Sequence, residues 1–154
     1  MPGAIESIYV AERSGAAMRD VASATLIAGA GIRGDRNYDE TAVRDGQITL
    51  IDAAEIERFN RATGLAIGAG DPRRNVVTRG VDLTGLVGRR FRVGQTTLVG
   101  VELCEPCATL GKRLASSTVT PARVVEAFTH RAGLRARIDV GGVIGIGDRV
   151  DTDG

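Results

Sequence analysis

Tryptophan is absent from this chain of 154 residues, and its aromatic complement is three phenylalanines and two tyrosines. That shortage removes the stacking platforms on which single-stranded nucleic acids are held. Charge argues the same way. Twenty basic residues against nineteen acidic ones leave a net charge of +1, too little for a broad polyanion-binding face. No apolar run approaches the ~20 residues needed to cross a bilayer, so neither nucleic acid nor membrane is an expected partner. The opening MPGAIESIYV has no basic region ahead of an apolar stretch, so no secretory leader is expected. The cytoplasm is the expected compartment, and thiols stay reduced there.

Lysine is nearly missing too. Lys112 is the only one, and the other nineteen basic residues are arginine. A GC-rich coding sequence is enough to explain that bias, yet each arginine still offers a planar fork of donors for phosphate or carboxylate. A lone lysine also makes Schiff-base chemistry with pyridoxal phosphate unexpected. One histidine and two cysteines supply three soft ligands, short of the four that a structural zinc site takes.

What is present reads as one domain over residues 1–154, with 43% hydrophobic and 25% charged residues, ordinary for a globular chain. Twenty-one glycines are scattered along it, which suggests tight turns between short strands. AIESIYV (4–10), VASATLIA (21–28), QITLI (47–51) and NVVTR (75–79) read as strands. RRFRVGQTTLVGVELC (89–104) reads as a hairpin turning near Gly94 and Gln95, with Val99, Val101 and Leu103 on one face. LRARIDV (134–140) and GVIGIGDRV (142–150) close the chain as two more strands. Asp52, with Glu55 three positions on, predicts a capping box for a helix over 53–63 that Gly64 stops. Thr120-Pro121 predicts a second helix reaching about His130, with Gly133 ending it and His130 at its negative pole. The elements do not alternate as βαβ units do. A mainly β fold is therefore expected, an antiparallel, barrel-like sheet with two or three peripheral helices.

Both cysteines stand in VELCEPCATL, as Cys104-Glu105-Pro106-Cys107. The C-x-x-C spacing suits thiol–disulfide exchange. Against that, the pair follows a hairpin late in the chain, and the carboxylate of Glu105 opposes thiolate formation. Two buried apolar thiols are a second reading. Cys104, at a strand end, fits it better than Cys107, which Pro106 sets on a turn. An exposed Cys107 would serve as a nucleophile, or as the one protein ligand of a soft metal that brings its other ligands with it.

Two arginine loops could hold the rest of such an anionic cofactor. In GAGIRGDRNY (29–38), glycines before Asp35-Arg36 let backbone amides approach an oxyanion, although the loop matches no nucleotide-binding motif. In DPRRNVVTRG (71–80), strand alternation puts Arg73 and Asn75 on one face and turns Arg74 away to the surface.

GIRGDRN, QITLID, RRNVVTRGVDLTGLVGRRFRVG, VELCEPCATL and GGVIGIGDRV occur in an order and spacing that resemble the MOSC domain, the family named for the C-terminal part of molybdenum cofactor sulfurases. The likeness runs from about Ile5 to Val150, and the chain is similar to the small, stand-alone bacterial members. The resemblance implies a β-barrel fold and binding of molybdenum cofactor, a metal held by the dithiolene of a phosphorylated pyranopterin. In members that reduce N-hydroxylated compounds, the second cysteine of the motif ligates the metal, which implies Cys107 as metal ligand and catalytic residue. Gly34, Asp35 and Arg36 of the Gly-Asp-Arg segment, and Arg73 and Asn75 of the Arg-x-Asn segment, are the cofactor-binding residues that the resemblance implies. Implied partners are an N-hydroxylated small molecule and an electron-donor protein. The added N-terminal barrel of eukaryotic relatives has no counterpart in this sequence, which leaves a homodimer as a way to complete the pocket. After Gly-Asp-Arg this chain has Asn37 and Tyr38 where many small members have histidine or another aromatic residue. ERSGAAMRDV lacks a lysine that some members place near the cofactor, with Ser14 and Arg19 as candidate substitutes. A cofactor or sulfur carrier without turnover, and a thiol-redox protein, are the alternatives to a reductase.

Overall fold

The computed structural model describes residues 3–41 and 45–153. Met1 and Pro2, where the stretch read for a leader begins, lie outside them. Eleven strands and three α-helices are present among the described residues. β1 (Gly3–Val10), β5 (Ile48–Asp52), β6 (Val76–Arg79), β7 (Arg90–Val93), β8 (Thr96–Leu103), β9 (Leu134–Val140) and β11 (Arg149–Asp151) close into a seven-stranded barrel. Its order is β1-β6-β5-β9-β8-β7-β11, and Gly3 facing Val150 completes the ring. Every neighbouring pair is antiparallel except β5 and β6. Short β2 (Arg19–Val21) extends β1, while β3 (Ser23–Ile27), β4 (Gly31–Ile32) and β10 (Gly142–Gly145) form a separate small sheet. The fold class expected from the sequence is the one observed.

Alternation fills the barrel. Ile8, Leu50, Val76, Phe91, Leu98 and Leu134 are completely buried in one cluster, which Leu26, Ile32 and Ile144 of the small sheet also join. The next residues along β5 and β6, Ile51 and Val77, are buried on the opposite face by helices. Burial on both faces is why the adjacent residues Leu50-Ile51 and Val76-Val77 are all apolar. The covering layer is α1 (Ala53–Thr63), α2 (Ala108–Leu114) and α3 (Pro121–Phe128). Phe59 of α1 stacks on Phe128 of α3 with ring centroids 4.1 Å apart.

Several boundaries differ from the sequence reading. The 21–28 segment is divided between β2 and β3, and 142–150 between β10 and β11, so each apparent strand serves two sheets. The 89–104 hairpin turns where expected, but β8 shifts register against β9 at Thr97/Leu98 and Gly100/Glu102, which breaks the simple alternation of that strand. Leu98 therefore points into the barrel, while Val101 and Leu103 are half-buried. Asp52 caps α1 by accepting from Ala54 N at 3.2 Å, but Glu55 does not close the box and approaches Arg131 at 3.5 Å. Gly64, at φ 78°, ends that helix as expected. α3 starts at Pro121 under the Thr120 cap but stops at Phe128. His130 then takes φ 63° and is held by Glu105, its N–H donating at 2.7 Å and its Nδ1 lying 2.6 Å from the other carboxylate oxygen. That contact replaces the helix-end role foreseen for the imidazole. α2, directly after the cysteines, was not anticipated. No helix among the described residues is long and apolar enough to cross a membrane.

Candidate active site around Cys107

The two thiols have different surroundings. Cys104 continues from β8, its N–H donating to Gly133 O at 2.8 Å, and only 1% of it is exposed. Burial pushes its thiol pKa up. Cys107 is exposed and occupies the N-cap position of α2 in extended backbone. The amides at the start of α2, led by that of Leu110, pull its thiol below the usual value, against a partial desolvation. No full capping hydrogen bond closes on the sulfur, so these amides act chiefly as oriented dipoles. Glu105, expected to oppose ionisation, is turned to His130, and the contact with the His130 amide lowers its own pKa. Both cysteines are free. Thiol exchange would need Cys104 to attack from the core, so this geometry disfavours the thiol-redox alternative.

Cys107 opens into a cavity of about 280 Å³ whose walls include Ser14, Arg36, Arg73, Arg74 and Arg113. The strain in this wall is local. Arg73 adopts φ 64°, a left-handed conformation that is uncommon for a residue with a side chain. Its N–H donates to Gly70 O at 3.1 Å, and its carbonyl accepts from Arg36 Nη2 at 3.1 Å, which together hold the turn. The turn also removes the alternation assumed for residues 73–75, because β6 begins only at Val76. Arg74 consequently does not turn outward. It lines the cavity, with Nε donating to Ala132 O at 2.8 Å.

Asn75 is the counterpart of that correction. It is fully buried behind the wall and does not line the cavity. Its Oδ1 accepts from Thr49 N at 3.1 Å and from Thr49 Oγ1 at 3.2 Å, while Nδ2 donates to Tyr9 O at 3.1 Å. Asp35 is likewise internal. Its Oδ1 accepts from Ala11 N at 3.0 Å and from Arg36 Nη1 at 2.9 Å, and Oδ2 accepts from Asn37 N at 3.3 Å. Gly34 is exposed at φ 86° and stays outside the cavity wall. Of the five residues read as cofactor contacts, Arg36 and Arg73 face the cavity, while Asp35 and Asn75 brace its wall. Ser14 reaches the cavity and Arg19 lines a different hollow.

Arg74 and Arg113 are the wall residues that the sequence reading missed. For Arg113 a signal existed: Leu110 and Leu114, four apart after the cysteines, mark a helix whose apolar face is buried. The resulting electrostatics are lopsided. Desolvation, then the charges of Arg113 and Arg36, push the Arg73 pKa down, and desolvation does the same to Arg74. Asp35 is the only carboxylate ion-paired to these arginines among the described residues, and it serves Arg36. A larger hollow of about 470 Å³, between the start of α1 and residues 80–84, has no thiol and no such cluster of cations. Of the two hollows, the Cys107 cavity is the one that brings a thiol and several cations together.

Comparison with known proteins agrees with the fold. The family profile described as MOSC domain matches residues 35–151. The chain belongs to the MOSC domain family. Among solved structures, the YuaD protein of Bacillus subtilis superposes with a TM-score of 0.87 at 19% identity, over 97% of this chain and 94% of that one. YiiM of Geobacillus stearothermophilus gives a TM-score of 0.77 at 16% identity, over 99% and 76% of the two chains. YiiM of Escherichia coli gives 0.72 at 15%, over 100% and 70%. At such identities these likenesses carry the fold alone. No curated protein matches this MOSC chain in sequence.

Proposed function

We propose that this MOSC domain binds molybdenum cofactor in the Cys107 cavity and reduces N-hydroxylated compounds there. The observation that carries the reading is an exposed thiol, biased towards thiolate, opening into a cavity with three arginines that have no ion-paired carboxylate among the described residues. The donor set fits the group: one soft sulfur for a thiophilic metal, and forked cations for a phosphorylated, dithiolene-bearing ligand. Cys107 would hold the metal, and Arg36, Arg73 and Arg74 would orient and neutralise the anionic remainder. When bound, the cofactor supplies a centre that accepts an oxygen atom and cycles between oxidation states.

The chain's own residues have simpler tasks. Asp35 and the Arg73 carbonyl lock the Arg36 guanidinium, so it meets an anion with little further ordering. The Leu110 and Thr109 amides pull the Cys107 thiol pKa down, which favours the thiolate form that ligates a metal. The net reaction is R–NHOH plus two protons and two electrons giving R–NH₂ and water, with the electrons delivered by a donor protein. Protein from a host that makes the cofactor should reduce 6-hydroxylaminopurine. Cys107→Ser should abolish that activity while Cys104→Ala retains it. Undiminished activity in Cys107→Ser rejects the ligand assignment. Cofactor bound without turnover under any reductant favours the carrier reading instead.

A further inference from the structure

The wall of the Cys107 cavity continues into a second hollow. Arg73 and Arg113 also border a space of about 330 Å³ whose other sides include Ala17, Met18 and Gly70. Two guanidinium groups thus stand between two adjoining spaces. Asp71 also lines this space but makes no ion pair with either arginine: its Oδ2 accepts from Gly68 N at 2.8 Å, inside its own loop. Neither Arg73 nor Arg113 has an ion-pair partner among the described residues. Arg73 is also the strained residue, at φ 64°, and such conformations persist where surrounding structure enforces them. The Gly70 and Arg36 contacts do so here, and they fix the backbone from which the Arg73 side chain reaches the junction.

Resting on the reading above, we propose that this annex is an anion subsite for the substrate, so the molecule reduced beside Cys107 carries a carboxylate or phosphate between Arg73 and Arg113. An apolar body can lie along Met18 and Ala17. The planar forks suit either oxyanion in bidentate fashion. A cationic compound would meet the Arg113 guanidinium, which has no ion-pair partner among the described residues and no assigned cofactor contact, and be disfavoured, which is selection by repulsion as well as attraction. The anionic group takes no part in the bond changes. Its role is to hold the hydroxylated nitrogen near the thiolate side of the cavity.

The test compares benzamidoxime with 4-carboxybenzamidoxime as substrates of the cofactor-loaded protein. The carboxylated compound should have a KM lower by about tenfold, the size of one charge-assisted contact. Arg113→Gln should bring the two KM values together, and so should Met18→Glu, which leaves both arginines in place. Molybdenum content should be unchanged in Arg113→Gln; its loss would give the annex to the cofactor's own phosphate and overturn the proposal. A second arm uses cofactor-free protein and reads the rate of Cys107 alkylation by anionic iodoacetate against neutral iodoacetamide. That ratio should fall severalfold in Arg113→Gln and stay at the parental value in Arg19→Gln. Equal ratios in the parent and Arg113→Gln would overturn the subsite. If neither amidoxime is reduced while the alkylation ratio falls, the reductase reading fails and the anion subsite stands.

Discussion

Asn75→Asp separates a bracing role from a ligand role better than any truncation, because it changes one atom in a buried side chain. In the parent, Oδ1 accepts two hydrogen bonds from Thr49 of β5 and Nδ2 donates to Tyr9 O of β1, which ties two barrel strands together at the mouth of the cavity. Aspartate keeps the shape and the Thr49 contacts but turns an acceptor towards the Tyr9 carbonyl. The lost hydrogen bond costs about 1 kcal/mol. Burial then raises the new carboxyl's folded pKa, and a shift of about two units, modest for such a site, removes ~2.7 kcal/mol at neutral pH. The total is roughly 3–4 kcal/mol, a large share of a small domain's stability. The sign with pH follows from the shift. A carboxyl with a raised folded pKa binds its proton more readily in the folded state, so the penalty is full above that pKa. It shrinks as pH falls towards the unfolded value of about 3.9. Urea unfolding at pH 7.5 and pH 5 should show the variant weakened at both and less so at the lower pH, with unchanged m-value. A variant of parental stability that still fails to retain cofactor would refute this account and restore Asn75 as a ligand.

Three further outcomes follow from contacts already described. Iodoacetamide should label Cys107 in the native protein at a pH below that needed for free cysteine, while Cys104 reacts only after unfolding, as peptide mass spectrometry would show. Phe59→Ala removes the ring stacked on Phe128 and should cost about 3–5 kcal/mol by denaturant titration. At Gly111 an added Cβ would stand 2.8 Å from Pro121 O and 3.1 Å from Val125 Cγ2, so Gly111→Ala must push α2 off α3. A loss of about 1–3 kcal/mol is expected, together with slower Cys107 labelling as the α2 amides shift.

The barrel was legible in the sequence because its signals are local. Asp52 and Gly64 bracket α1, Thr120-Pro121 opens α3, and the Gly94-Gln95 hairpin turns in place. The closures were not legible, since the pairing of Gly3 with Val150 and the division of 142–150 between two sheets depend on contacts far apart in the chain. Within the site, Cys107, Arg36 and Arg73 were found, by motif resemblance more than by pattern. The surface expectation for Arg74 fails because strand alternation does not extend back across residues 73–75, where the chain turns. The left-handed backbone of Arg73 has no marker in the sequence, since arginine carries no preference for it. Asn75 looked available to a ligand for the same reason, and burial against Thr49 and Tyr9 could be known only from the assembled barrel.

The most direct measurement is the molybdenum and pterin content of the protein purified from a host that makes the cofactor, by elemental mass spectrometry and by fluorescence of the released pterin. The account predicts both in amounts matching the protein, with molybdenum sharply reduced in Cys107→Ser and both reduced when Arg36 and Arg73 are replaced by glutamine. Protein that carries neither molybdenum nor pterin, or a Cys107→Ser variant as fully loaded as the parent, would contradict it.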